Sequence, residues 1–249
     1  MDSRSHKEAA LFSKKEPKNR CDQNVFHLSS DELEAIQLTL GVSLRAVGVG
    51  LPMALLLATL LQRSFPGKFL LNAAIHLPLM LPPVVTGWLL LLIFGVSGPI
   101  GAFLDQTLHM RLAFTETGAA LACGVMILPL MVRAIRLSLD SVDPGLLQAA
   151  RSLGAGPLDR FLSVSLPLAA PGVLAAAVLG YTASLGEFGA VITFAASIPG
   201  QTRTLPLAIY AALDTPGGEA IAARLCIVSI CLALAGLGLA EFLGRKQAR

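Results

Sequence analysis

From Phe69 to Leu104 the chain contains no Asp, Glu, Lys or Arg. One bilayer crossing needs about 20 residues of apolar helix, so this block holds a full span and more. Further apolar blocks follow the same plan. Leu33–Leu61 carries Arg45 in its interior, Thr117–Val132 is uncharged, Pro171–Phe194 has one acid, Glu187, and Leu225–Ala240 is again uncharged. Short charged joints separate them. The chain is 54% hydrophobic and 14% charged, with mean hydropathy +0.70, whereas a soluble domain is about 25% charged. These features exclude an ordinary soluble enzyme and predict an all-α polytopic membrane protein with about five transmembrane helices. The excess of 19 Lys and Arg over 16 Asp and Glu is too small to point to nucleic acid.

Within the long block, the span is expected over Phe69–Phe94. Gly95, Gly98, Pro99 and Gly101 then read as a re-entrant or interfacial turn, because glycine and proline interrupt a helix. The basic residues set the expected orientation. Arg63 and Lys68, then Arg133, Arg136, Arg151 and Arg160, then Arg245, Lys246 and Arg249 fall on one side of a five-span chain, which is therefore the cytoplasmic side and holds the C-terminus. Residues 1–30 are polar, lack an apolar signal-peptide core and read as a disordered extension. Five spans would place this extension outside despite its six basic residues. Either the internal loops outvote it, or the mature chain starts downstream. Ser29 or Ser30 is expected to cap the first helix, with Asp31 and Glu32 in its first turn.

Metal and redox chemistry find little support. Cys21, Cys123, Cys226 and Cys231 form no CxxC or Cys/His cluster, and His6, His27, His76 and His109 are scattered, so neither metal nor cofactor is expected.

The joint between the third and fourth blocks is the most informative segment. Asp143-Pro144 starts a helix as cap and first residue. Leu146, Leu147, Ala150 and Leu153 then share one helical face. Gly154–Pro157 turns the chain, and Leu158, Phe161, Leu162 and Val164 form a second short apolar face ahead of Leu166-Pro167. A compact helix–turn–helix on the cytoplasmic side results.

This stretch resembles the coupling loop of the permease subunits of ABC importers, with the pattern Glu-Ala-Ala, three residues, Gly, nine residues, Ile-x-Leu-Pro. The chain has Gln148-Ala149-Ala150, Gly154, Val164 and Leu166-Pro167 with both gaps kept. Gln148 replaces the acid, which weakens the case for a carboxylate pairing with an ATPase there, and Val164 replaces Ile. The resemblance covers most of residues 33–245 and is greatest to the permeases of molybdate importers. It is carried by Phe65-Pro-Gly-Lys68, the run His76–Val85, Pro129–Arg136, Ser184–Ala190, Ile198–Thr204 and Thr215–Glu219. The Gly186-Glu187-Phe188-Gly189 element is shared with sulfate permeases. The two loops after it favour molybdate.

The resemblance implies a type I ABC-importer permease fold with a cytoplasmic coupling helix, in a bacterial inner membrane. The permease domain would cover 31–244 with its coupling loop at 137–168, followed by a basic tail at 245–249. It also implies a homodimer, two cytoplasmic ATPase subunits and an extracytoplasmic binding protein, with molybdate, or its congener tungstate, as cargo. The chain has no P-loop of its own, since its one Gly-Lys pair, Gly67-Lys68, is followed by Phe69.

Glu187 lies deep in an apolar block, where a carboxylate needs a partner or a wet cavity. Two readings stand: it lines or gates the pathway with Gly186, Phe188 and Gly189, or it makes a structural hydrogen bond. Arg45 can attract an oxyanion, pair with a carboxylate or snorkel. Arg203, with Thr202 and Thr204, lies in an outer loop where it can meet the binding protein or remain a solvated cation. Two other functions remain open: a sulfate or other oxyanion permease, and an ion-coupled secondary transporter using Glu187 or Arg45. The latter leaves the coupling motif unexplained.

Overall fold

The computed structural model describes residues 28–247, with side chains as far as Gly238. The polar extension up to residue 27, with Cys21, lies outside the described residues, as do Ala248, Arg249 and the side chains of Arg245 and Lys246. The described chain is helical throughout, with no strand among its described residues.

Helix α1 covers Ser30–Gln62. Of the two serines expected to cap it, Ser29 does so. Its hydroxyl accepts the Glu32 N–H, and the Glu32 carboxylate accepts the Ser29 N–H at 2.7 Å, a reciprocal capping box. At 33 residues the helix is about 50 Å long, more than the roughly 30 Å hydrocarbon core, so it must tilt or project. Next come α2 (Lys68–Met80), α3 (Pro83–Phe94), α4 (Pro99–Leu108) and α5 (Glu116–Asp140). The joint holds α6 (Pro144–Ser152) and α7 (Pro157–Arg160), and a π-helical turn over Phe161–Ser165 leads into α8 (Leu166–Leu185). Helices α9 (Gly189–Phe194), α10 (Leu205–Leu213) and α11 (Glu219–Gln247) complete the chain.

Four stretches are each long and apolar enough to cross a membrane: α1, α5, the continuous Pro157–Leu185 and Glu219–Gly238. The bent pair α3–α4, turning through 47°, makes a fifth candidate. The expected count of about five therefore fits, but several boundaries move. The expected single span Phe69–Phe94 is broken at Leu81-Pro82, because neither Pro82 nor Pro83 has an N–H to continue the ladder of α2; Pro83 instead starts α3. The fourth span begins at Pro157, not Pro171, so the second apolar helix of the joint is no separate hairpin arm but the entry of the span itself. It also ends at Leu185, short of Phe194. Helix α5 runs beyond Val132 to Asp140, and α11 starts at Glu219 rather than Leu225.

Helix α5 is central. Its apolar window is 61% buried, against 33% for α1 and 11% for each of the other two. It packs on α1, α8, α2 and α9. Met131, fully buried on α5, shows how close this packing is. A Cβ on Gly50 of α1 would lie 2.7 Å from Met131 Cε, and one on Gly180 of α8 would lie 2.8 Å from its Sδ. Small residues let three helices share one site where no hydrophobic drive separates helix from lipid. The outward faces remain apolar, with Val49, Phe69, Leu44 and Leu70 all well exposed, as lipid contact requires.

Candidate functional site

The sequence Leu185-Gly-Glu-Phe-Gly189 places Glu187 in a break between helices, not inside one as expected. Helix α8 closes at Gly186, whose N–H donates to Ala183 O, and the Glu187 N–H donates to Ser184 O. The Glu187 Oε1 atom then accepts the Ala190 N–H at 3.0 Å, so the carboxylate caps the turn that begins α9. This is the structural hydrogen bond of the second reading, though made to its own loop and not to a neighbouring helix. The side chain is half-buried. The Phe188 ring meets Tyr210 of α10 with centroids 5.4 Å apart and planes tilted by 54°. Gly189 is buried against Pro83 of α3, where an added Cβ would lie 2.6 Å from the proline Cβ. Gly87 faces α9, where a Cβ would lie 2.7 Å from Ala190 O. Gly186, Glu187, Phe188 and Gly189 thus form one broken-helix element held between α3 and α10. Non-helical backbone at membrane depth occurs only where protein buries it or it lines a wet cavity.

Arg45 does not join this element. Its guanidinium pairs with Glu116, the first residue of α5, at 2.8 Å, with side chains 52% and 33% exposed. Of its three expected fates, pairing with a carboxylate is the one observed. In the loop between α9 and α10, Thr202 is fully buried and Thr204 nearly so. Thr202 Oγ1 accepts the Ile198 N–H and donates to Ala196 O, both at 3.0 Å. These two threonines shape the loop from inside, and in this conformation neither offers a side chain to a docking protein. Arg203 is half-buried, donates to Ser197 Oγ at 3.2 Å, and lines a cleft of about 300 Å³ with Asp31 and Glu32.

Three contacts eluded sequence reasoning. Arg224 donates to Glu32 Oε1 at 2.8 Å, with Glu32 only 4% exposed, tying the start of α1 to that of α11. Thr39 Oγ1 accepts the Leu205 N–H at 2.6 Å, fastening α10 to α1. At the opposite end Gln62 donates to Asp140 Oδ1 at 3.2 Å, joining the ends of α1 and α5. A charge beside an apolar run signals that a partner exists, but only the fold says which.

The joint 137–168 forms as its first half predicts. The Asp143 carboxylate accepts the Gly145 N–H at 2.7 Å, capping α6 with Pro144 at its first position, and Gly154 turns with φ +90°. Gln148 and Ala149 are exposed, Ala150 is half-buried, and Gly154 and Pro167 are exposed. No α6 residue is buried. Leu153 is 89% and Leu158 70% exposed, so this end of the molecule presents an apolar knob that no described residue covers, bracketed by Leu166-Pro167 at the entry of α8. An amphipathic helix with its apolar side open is suited to sit in a groove of another protein.

Comparison with known proteins matches residues 50–249 to the family model described as the inner membrane component of binding-protein-dependent transport systems. The chain is 52% identical over 219 residues to the molybdenum transport system permease protein ModB of Escherichia coli, covering 88% of this chain and 96% of that one. It is 37% identical to the sulfate transport system permease protein CysT of Salmonella typhimurium over 77% of this chain and 70% of the other. Among solved structures, a bacterial alginate ABC transporter in complex with alginate pentasaccharide-bound periplasmic protein matches with TM-score 0.72 at 18% identity, covering 89% of this chain and 81% of that one. At that identity the likeness concerns the fold.

Proposed function

The chain belongs to the family of inner membrane components of binding-protein-dependent transport systems, and from that premise we propose that it is the membrane-spanning subunit of an ATP-driven importer that passes molybdate from an extracytoplasmic binding protein into the cytoplasm. The observation that carries the reading is the 52% identity to a molybdenum permease over nearly the full length of both chains, against 37% over a shorter stretch for a sulfate permease. Two copies of the chain form the pathway, two separate ATPase subunits dock on the α6 knob, and the binding protein delivers the oxyanion at the opposite end. The Gly186–Gly189 element lines or gates the pathway. Glu187 is not a direct ligand, because a bare carboxylate repels a dianion; one oxygen holds the broken-helix turn and its negative charge serves the gate. Arg203 is the outer-loop side chain offered to the binding protein.

ATP binding on the partner chains draws the two α6 helices together, and the long helices α5 and α8 transmit that movement to the break at Glu187. The chain itself performs no chemistry in this scheme. Cellular molybdenum, measured by elemental analysis in a strain lacking its own high-affinity permease and supplied with this chain, its ATPase and its binding protein, tests the substrate. Accumulation that resists excess sulfate supports molybdate. Accumulation abolished by sulfate shifts the substrate to sulfate, and transport that survives inactivation of the ATPase replaces the whole scheme with a secondary transporter.

A further inference from the structure

A groove of about 760 Å³ opens between the end of α1 and the α6–α7 joint. Two arginines, Arg63 and Arg160, line it and no acid does, while Leu56, Leu60, Leu158 and Phe161 make its walls apolar. Neither arginine has a carboxylate within ion-pair distance among the described residues, and Arg160 Nε is buried without a hydrogen-bond partner. Asp159, next to Arg160 in the chain, accepts from Ser163, and Asp140 accepts from Gln62 of the groove. A second hollow, of about 410 Å³, lies farther along the same pair of helices, lined by Leu51 of α1 and by Pro167, Val173 and Ala177 of α8 with no charged residue. A cationic mouth thus lies at the end of an apolar stretch of α1 and α8 that carries the second hollow.

We propose that this groove holds one anionic phospholipid per chain, its phosphate between Arg63 and Arg160 and its acyl chains along Leu56, Leu51 and Val173. The apolar track distinguishes a lipid from free phosphate, since a bare phosphate would leave both walls and the second hollow unfilled. The volume is in the range of small-molecule sites, about 300–1,000 Å³, and basic pockets between helices on the cytoplasmic side are suited to anionic headgroups. The inference rests on the proposed orientation, with α6 in the cytoplasm. Because the lipid bridges α1 and the base of the α6 knob, it would brace the element that receives the ATPase.

The test uses the purified permease–ATPase assembly, delipidated stepwise in mild detergent and re-exposed to phosphatidylglycerol or phosphatidylcholine, with bound lipid counted by native mass spectrometry. The native assembly should retain one phosphatidylglycerol per permease chain, should not retain phosphatidylcholine, and should keep the lipid in excess inorganic phosphate. The double variant Arg63→Gln/Arg160→Gln should bind it on the order of thirtyfold more weakly. The variant Arg63→Lys/Arg160→Lys, which keeps both charges, should restore retention and so separates lost binding from lost folding. Equal retention by the Gln variant, equal retention of phosphatidylcholine, or lipid bound only when the ATPase is absent would overturn the site. The readout is independent of the transported substrate. Labelling of Ser152→Cys by an impermeant maleimide, in a chain without its native cysteines, reports the orientation separately: reaction only from the outside would mean that the orientation had failed.

Discussion

Single side chains do their structural work in pairs that bridge distant parts of the chain. Glu32, almost fully buried, is held by Arg224 and by its own cap on Ser29. Removing one partner strands the other's charge, so Arg224→Met should destabilise the protein by about 2–3 kcal/mol. Adding Glu32→Gln should recover most of that loss, as thermal unfolding in detergent can measure; an additive double variant would mean the pair is not coupled. Glu187 behaves differently. The amide of Glu187→Gln can still accept the Ala190 N–H, so the turn and assembly should persist. Uptake should fall about tenfold, which corresponds to roughly 1.4 kcal/mol on the rate-limiting barrier. Normal uptake would remove Glu187 from the pathway. That Glu187 and Arg45 needed partners was legible from their apolar surroundings. That Arg45 would meet Glu116, and that Thr202 would turn inward, was not, because both depend on contacts the local sequence does not encode.

At the scale of elements, the chain's punctuation explains both what was foreseen and what was missed. Asp143-Pro144 and Gly154 set the start and stop of α6 where the sequence predicts them, since caps and turn glycines act locally. The break at Leu81-Pro82 follows from proline chemistry, yet Pro52, Pro129 and Pro171 lie inside helices that continue; neighbouring helices decide which prolines end a helix and which are absorbed. The same limit explains the fourth span, which starts at Pro157 because the π turn at Phe161–Ser165 carries the helix from α7 into α8. Two predictions belong here. Gly87→Val would force α3 away from Ala190 and Thr193, costing about 1–3 kcal/mol as overpacking does, and should reduce transport along with thermal stability. Leu153→Asp places a charge on the exposed knob, at a side chain that no described residue covers, so membrane insertion and stability should be unchanged while the ATPase no longer co-purifies. Retained ATPase would place docking elsewhere.

Across the whole molecule, two ends and a middle account for the architecture. One end carries the Gln62–Asp140 contact and sets Arg63, Arg151 and Arg160 beside or on the α6 knob. The other is closed by Glu32–Arg224 and by the loop that Thr202 holds. Helix α5 joins them through a core of small residues, and the break at Gly186–Gly189 lies beside it, against α3. Apolar blocks and basic joints made this plan readable before any coordinates, because bilayer thickness and charge asymmetry act on every span alike. Dimer geometry and oxyanion choice have no such one-dimensional signature. The most direct test of the account is uptake of radiolabelled molybdate by proteoliposomes containing the assembled complex. Uptake should require the binding protein, ATP and an intact ATPase together, and should stop with Leu153→Asp. Molybdate entry without ATP, driven by an ion gradient alone, would contradict it.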